Sequence, residues 1–136
     1  MNAPEPADTA DTTNLETLQR MGEGFNDKDV DAILSNFTED AVFETTQGPH
    51  PWGERFTGRE EIRRSILDVW QVLPDLQFSD TTRFVCGGRG AAEWTATATT
   101  PKGHRMEVRG CDLFTFRDGR VSRKDTFFKQ IIRKKE

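Results

Sequence analysis

The second half of the chain is the feature that most restricts its fold. After Pro74, four segments rich in β-branched and aromatic residues follow one another, joined by the short glycine-containing connections "GGRG", "PKG" and "RDG". Connections of this kind are typical of antiparallel hairpins. We therefore predict four consecutive strands, at residues 75 to 86, 90 to 100, 104 to 116 and 120 to 132. A meander of this kind needs other elements to cover one of its faces.

The first half supplies helices for that purpose. Apolar residues recur at helical spacing in residues 15 to 25, 30 to 37 and 62 to 73, and the capping box "TGRE" precedes the third stripe. Between the second and third stripes, "AVFETT" predicts a short strand and "QGPHPWGERFTG" predicts a loop. Helices first and strands afterwards indicate the α+β class, with N-terminal helices packed on a curved, mainly antiparallel sheet.

The chain is predicted to form a single domain, because 136 residues suffice for one core. Residues 1 to 13 contain two prolines and no large apolar side chain after Met1, a composition that predicts a disordered tail. We expect the α+β domain to cover residues 14 to 132. Residues 133 to 136 are predicted to be a frayed basic terminus.

Charge and hydropathy exclude several classes of partner. The net charge is −4 with both signs interspersed, so we expect no nucleic-acid or membrane partner. No segment reaches the roughly 18 to 20 apolar residues of a membrane span, and no signal peptide is recognisable, which predicts a cytoplasmic protein. Cys86 and Cys111 fall on predicted strands separated by another strand, too far apart for a disulfide, and are expected to be packing thiols.

An aspartate interrupts the apolar face of the third predicted strand. Alternation places Arg105, Glu107 and Arg109 on one side of it. The other side carries Met106, Val108, Gly110, Asp112, Phe114 and Phe116. A carboxylate on such a face must find partners, face a wet cavity or keep its proton. Asp112 is therefore either a functional group or a structural one that caps the backbone or pairs with an internal Arg or Lys.

Small side chains on the preceding strand indicate a cavity beside Asp112. Ala92, Ala96 and Ala98 share a face with Trp94 and leave volume unfilled. An apolar pocket with one buried acid is a common form of small-molecule site, so we predict an apolar small-molecule ligand.

The order of these elements resembles the nuclear-transport-factor-2-like superfamily. The likeness covers residues 14 to 130 and includes "DAVFETTQG", "GREEIRRSI" and "CDLFTFRDGRVSRKDTFF". That superfamily includes ketosteroid isomerase, limonene epoxide hydrolase and small polyketide-cyclase-like proteins. The resemblance implies a cone-shaped α+β barrel with a deep pocket between the sheet and the helices, and it implies homodimers.

This chain lacks residues that two activities of that superfamily require. Asp112 matches the protonated oxyanion-hole aspartate of ketosteroid isomerase, but Thr45 stands at the position of its general base and the chain contains no tyrosine for the second oxyanion donor. Limonene epoxide hydrolase uses an Asp-Arg-Asp trio. Asp125 lies close to the last aspartate of that trio, yet an ungapped count puts Thr126 there and Trp94 or its neighbour at the arginine.

Alternation and the resemblance together give the candidate site residues. The catalytic candidates are Asp112, His50 and Asp125, and the ligand-binding candidates are Phe43, Thr45, Trp52, Trp70, Trp94, Val108, Lys124, Thr126 and Phe128. His50 would exchange protons with a ligand if its loop folds over the pocket, because imidazole is a common acid/base group; otherwise it is a surface residue. Trp52 is a lid or a loop anchor. Trp70 and Trp94 line the ligand or simply pack in the core.

The last predicted strand leaves one choice open. Strict alternation lets Lys124 or Asp125 enter the pocket, not both, and a β-bulge would reverse the choice. If Lys124 points inward, an ion pair with Asp112 is the main structural alternative to a catalytic role.

Acid/base chemistry without a cofactor is the function these residues indicate. No glycine-rich phosphate loop, Cys/His cluster or Ser-His-Asp pattern occurs, so we expect no metal and no cofactor. The leading hypothesis is a small enzyme of the ketosteroid-isomerase or cyclase type, acting on an apolar carbonyl or polyketide-like molecule through Asp112. The alternative is a non-catalytic ligand-binding or assembly module. In either case we expect a homodimer through the outer sheet face at Cys111, Leu113 and Thr115.

Overall fold

Three helices pack against one six-stranded sheet. The computed structural model describes residues 6–132. The elements are α1 (Pro6–Asp27), α2 (Val30–Ser35), β1 (Phe37–Glu44), β2 (Arg55–Thr57), α3 (Arg59–Val72), β3 (Gln77–Cys86), β4 (Arg89–Thr99), β5 (Arg105–Arg117) and β6 (Arg120–Phe128).

The sheet has the strand order β2-β1-β6-β5-β4-β3. Strands β3 to β6 form the predicted antiparallel meander, and β1 pairs with β6 in parallel. Among the described strands, β2 and β3 are the two edges, so the sheet is open and not closed into a barrel. The α+β class with helices on a mainly antiparallel sheet, predicted from the sequence, is confirmed.

The core lies between the helices and the inner face of the sheet. Leu18 of α1, Ile33 of α2 and Ile62 of α3 are buried against it. On β4, the side chains that alternation assigns to the inner face, Ala92, Trp94, Ala96 and Ala98, are all buried. Removing this apolar surface from water is the main favourable term that holds the helices on the sheet.

The second helix is shorter than its apolar stripe. The stripe predicts a helix through Phe37, but α2 ends at Ser35 and Phe37 begins β1. The backbone N–H of Asn36 caps the helix on the carbonyls of Ile33 and Leu34. Its own carbonyl accepts from the N–H of Val121 on β6. Pairing with a distant strand therefore starts β1 earlier than local spacing indicates.

The connection before the third helix also differs from the prediction. β2 forms inside the segment predicted as a loop and pairs with β1. The predicted capping box does not form: Gly58 is the N-cap with φ of 85°, and the Glu61 carboxylate accepts from the Thr57 N–H at 2.9 Å. The left-handed turn at Gly58 leaves Glu61, not Glu60, in reach of that N–H.

The first helix begins earlier than the sequence predicts. α1 starts at Pro6, whereas composition predicts a disordered tail through residue 13. Two tertiary hydrogen bonds hold its N-terminal half: the Gly87 N–H donates to Asp11 Oδ1, and the Thr17 hydroxyl donates to the Gly119 carbonyl. The rest of the predicted tail, residues 1–5, and the predicted frayed end at 133–136 lie outside the described residues. None of the described helices combines the length and the hydropathy needed to cross a bilayer.

Candidate functional site

A cavity of about 410 Å³ lies between the helices and the inner face of the sheet. Its volume falls in the range of roughly 300 to 1,000 Å³ that is typical of small-molecule sites. The wall is mainly apolar, with aromatic side chains that include Phe25, Phe43, Trp70, Trp94 and Phe114. The three ionisable residues that line it, among the described residues, are Arg83, Asp112 and Lys124.

Asp112 is the buried acid of this wall. The Trp94 indole Nε1–H donates to Oδ2 at 2.9 Å, and the Thr126 hydroxyl donates to Oδ1 at 2.6 Å. The Lys124 ammonium lies 3.0 Å from Oδ1, and the side chains of this pair are only 9% and 10% exposed. Because an indole and an ammonium can only donate, Asp112 is held as a carboxylate in a buried ion pair.

Strand register brings these side chains together. Asp112 on β5 is the direct cross-strand partner of Ala92 on β4 and of Thr126 on β6, so the three project from the same face. Ala92 is too small to fill the space beside the carboxylate. Trp94 stands opposite Gly110, and a Cβ built on that glycine would come 2.4 Å from the indole ring. The missing side chain lets the indole lie across β5 and direct its N–H to Asp112.

Lys124 occupies the position between the carboxylate and the aromatic wall. Its ammonium donates to the Thr126 hydroxyl at 2.9 Å and lies 4.5 Å and 5.1 Å from the ring centroids of Phe43 and Phe25. Such contacts with aromatic faces stabilise a desolvated cation. Within residues 9–132, the ammonium forms one hydrogen bond, to Thr126, and one ion pair, with Asp112 at 3.0 Å. One ammonium hydrogen therefore remains for the aromatic rings or for a ligand.

Most of the predicted ligand-binding residues lie in the cavity wall. The structure places Phe43, Thr45, Trp70, Trp94, Val108, Lys124, Thr126 and Phe128 there, together with Asp112. Lys124 and not Asp125 points inward, because the register of β6 against β5 shifts between Val121 and Arg123, so that a β-bulge puts Lys124 on the same face as the buried Val121. The ion pair with Asp112 that the sequence left as an alternative is therefore present.

Three candidates lie outside the cavity. His50 and Trp52 stack on each other with ring centroids 4.8 Å apart, and the Arg55 guanidinium covers the indole. The tight turn that joins His50 to Gly53 folds the loop on itself, so neither ring covers the cavity. Asp125 projects from the outer face of the sheet, the face opposite the cavity, and contacts Arg123.

The outer face carries its own group of charges. Glu44 is fully buried there, and Arg55 donates to its Oε2 while Arg123 donates to its Oε1, each through Nε at 2.9 Å. Burial acts to raise the pKa of Glu44, but these hydrogen bonds outweigh it and hold the pKa below its usual value. Burial, and secondarily the charge of Glu44, raise the pKa of Asp125. This group links strands and lies away from the ligand cavity.

Sequence reasoning missed Glu44 and Arg83. A charged residue on a half-polar strand is normally solvated, and Glu44 carries no local signal to the contrary. The alternation of "DTTRFVC" does place Arg83 on the same face as Val85, which is the one clue the sequence offered. Within the described part of the chain, no three His, Cys, Asp or Glu side chains are grouped as metal ligands are.

Comparison with known proteins identifies the family. The model of the SnoaL-like domain matches residues 18–124, most of the chain. The protein belongs to the SnoaL-like family. This confirms the nuclear-transport-factor-2-like resemblance, and the SnoaL-like match includes Asp112 and ends at Lys124. Among curated proteins, no sequence matches this SnoaL-like chain.

Solved structures share the SnoaL-like fold. A protein from Xanthomonas campestris pv. campestris, provisionally assigned as a polyketide cyclase, is 24% identical over 88% of this chain and 93% of its own, with a TM-score of 0.78. TerC, co-crystallised with polyporic acid, is 24% identical over 86% and 92%, with a TM-score of 0.77. A provisionally assigned isomerase from Bacillus subtilis is 22% identical over 87% of each chain, with a TM-score of 0.73. At these identities the likeness is one of fold.

Proposed function

We propose that this SnoaL-like protein is a small cofactor-independent enzyme of the cyclase or isomerase type, which removes a proton beside the carbonyl of an apolar organic molecule. The observation that carries the proposal is the buried Asp112–Lys124 ion pair in the wall of a mainly apolar cavity. A carboxylate and an ammonium at one point of such a wall supply a base and an electrophile together.

Asp112 is the general base in this proposal. Its Oδ1 accepts from Thr126 and lies 3.0 Å from the Lys124 ammonium, whereas Oδ2 accepts one hydrogen bond, from Trp94. Oδ2 therefore keeps a lone pair for the incoming proton. The substrate C–H bond breaks, the proton moves to Oδ2, and the electron pair shifts into the carbonyl to form an enolate. Trp94 and Thr126 hold the carboxylate in place and do not react.

Lys124 stabilises the charge that this step creates. As the proton reaches Asp112, the negative charge moves from the carboxylate to the substrate oxygen, while the ammonium beside both stays positive. The remaining ammonium hydrogen donates to that oxygen. In a cavity of low dielectric constant this exchange of partners stabilises the enolate more than water would.

An apolar carbonyl compound is the ligand class that the relatives favour. The structural neighbours include proteins provisionally assigned as polyketide cyclases and one co-crystallised with polyporic acid. The aromatic wall formed by Phe25, Phe43 and Trp70 suits flat, apolar rings.

Deuterium exchange tests the proposal without knowledge of the natural substrate. The protein is incubated in D₂O with 2-tetralone, an apolar ketone with acidic hydrogens beside its carbonyl, and proton NMR follows their loss. We expect exchange above the buffer rate in the wild type and a loss of about a hundredfold in Asp112→Asn. The matched control is Asp31→Asn, which removes an exposed carboxylate paired with Arg63 and should keep the wild-type rate. Equal rates in Asp112→Asn and the wild type would refute the proposal.

A second candidate function is a non-catalytic binding module. The observation in its favour is that Asp112 already has two hydrogen bonds, from Trp94 and Thr126, and an ion pair with Lys124, as expected of a purely structural carboxylate. The same experiment separates the two. A binding module would take up tetralone with no exchange above buffer in the wild type, and Asp112→Asn would lower stability only.

A further inference from the structure

The cavity wall carries one charge, on the half-buried Arg83, that forms no ion pair within the described residues. Of its three ionisable residues, Asp112 and Lys124 neutralise each other and Arg83 remains. The whole chain has a net charge of −4, so a positive cavity does not follow from composition. An uncompensated cation in a mainly apolar wall indicates a site for an anion.

Among the described residues, Arg83 also has no partner for its hydrogen bonds. Within residues 9–132, its guanidinium forms no hydrogen bond and no ion pair. The group lies against α1, where a Cβ added to Gly22 would come 2.2 Å from Nη2. The absence of a side chain at Gly22 makes room for the guanidinium in a wall to which both residues contribute. Five N–H donors in a rigid fork are therefore available.

Register places Arg83 in line with the ion pair. Arg83 on β3 is the cross-strand partner of Ala92 on β4, which is in turn the partner of Asp112 on β5. The three side chains project from one face, two strand spacings or about 9.5 Å from first to last. Ala92 between them is too small to fill the gap. A ligand lying across Ala92 would reach the ion pair with one end and Arg83 with the other.

We propose that Arg83 binds a carboxylate of the ligand, so that the substrates of this protein are aromatic or polycyclic keto acids. The placement of the ketone at Lys124 rests on the proposed function, whereas the carboxylate site does not depend on catalysis. Guanidinium groups match carboxylates through two parallel hydrogen bonds, and such charge-assisted bonds are about twice as strong as neutral ones.

Isothermal titration calorimetry with two matched probes tests the site. The probes are 6-acetyl-2-naphthoic acid and 2-acetylnaphthalene, which differ by the carboxylate alone. We expect the wild type to bind the acid roughly ten- to a hundredfold more tightly than the ketone. Arg83→Gln should lose this preference and bind the neutral ketone as before. The control Arg109→Gln removes the same charge from the opposite face of the same sheet and should keep the preference.

A second variant moves the guanidinium without removing its charge. Gly22→Ala places a methyl group where Nη2 lies, and the end of a flexible side chain can shift away. The acid preference should fall in Gly22→Ala while the thermal midpoint stays near that of the wild type. This outcome would separate a positioned carboxylate site from general electrostatic attraction.

The other possible results also decide whether Arg83 binds a carboxylate of the ligand. Equal affinity for both probes in the wild type, or binding of neither probe at millimolar concentration, would overturn the inference. Loss of the preference in Lys124→Met but not in Arg83→Gln would place the carboxylate at the ion pair and also overturn it. If the wild type catalyses deuterium exchange of 2-tetralone but does not bind the acid more tightly than the ketone, the Arg83 site is refuted and the proposed enzyme is not. An acid preference without exchange refutes the enzyme and keeps the site.

Discussion

Gly110 helps to position the Asp112 carboxylate because it has no side chain. A Cβ at this position would come 2.4 Å from the Trp94 indole and 2.5 Å from the backbone oxygen of Phe127. Neither neighbour can yield easily, because the indole is buried and the oxygen belongs to the adjacent strand. The glycine is therefore what keeps the indole flat against β5, with its N–H on Asp112.

We predict that Gly110→Ala lowers the free energy of unfolding by about 1 to 3 kcal/mol through overpacking. The cost should be smaller in a Trp94→Phe background, since the shorter ring leaves room for the methyl group. Urea unfolding of the two single variants and the double variant measures this coupling. Equal costs in both backgrounds would show that the clash with Trp94 is not the cause.

At the level of single residues, the sequence predicted some of the site and could not have predicted the rest. Alternation placed Asp112 and Val108 on the inner face, because β5 keeps strict alternation over this stretch. The choice between Lys124 and Asp125 needed the pairing of β6 with β5. Arg83 was missed because whether a strand arginine has a partner depends on which carboxylates the fold brings near it.

Among the elements, β1 depends most on distant parts of the chain. It pairs in parallel with β6, far along the sequence, and antiparallel with the three-residue β2. The fully buried Glu44 joins all three strands through Arg55 on β2 and Arg123 on β6. Local signals cannot show such a bond, which explains why β2 and the early start of β1 were not predicted.

We predict that Glu44→Gln lowers the free energy of unfolding at pH 7 by about 2 kcal/mol, the scale of hydrogen bonds to a charged group. The pKa of Glu44 is depressed in the folded protein. Its contribution is therefore present above the unfolded pKa of about 4.3 and is lost as the pH falls through the lower folded value. Urea unfolding measures the difference in free energy of unfolding between Glu44→Gln and the wild type. This difference should be fully present at pH 7 and should become smaller below about pH 4.

The control for this prediction is Glu39→Gln, which changes an exposed glutamate on the same strand. It should leave stability near the wild-type value at both pH values. A Glu44→Gln difference that stays constant from pH 7 to pH 3 would mean that the charge of Glu44 contributes nothing.

For the whole molecule, we propose that the outer face of the sheet pairs with a second copy of the chain. Phe84 on β3, Leu113 on β5 and Phe127 on β6 are exposed there, and Ala91 on β4 is the cross-strand partner of both Phe84 and Leu113. Both signs of charge flank these apolar side chains, with Arg123 and Asp125 on β6. A two-fold axis would place the positive side chains of one copy opposite the negative side chains of the other, as a self-complementary interface requires.

Light scattering after size exclusion at micromolar concentration should give the mass of two chains. Leu113→Glu places a charge among these apolar side chains and should give the mass of one chain, while circular dichroism stays unchanged. Val72→Glu, at an exposed apolar position on α3, is the control and should remain dimeric. A wild-type mass of one chain would contradict the prediction.

The sequence by itself determined the α+β class, the four-stranded meander and the inward direction of Asp112. Each of these follows from periodicity and turn residues, which act between neighbours along the chain. Only the tertiary structure decided that Lys124 forms the ion pair, that Glu44 is buried and that Arg83 faces the cavity with no partner among the described residues. Those outcomes depend on which distant strands become neighbours, because a charge is stabilised or left unpaired by groups far away in sequence.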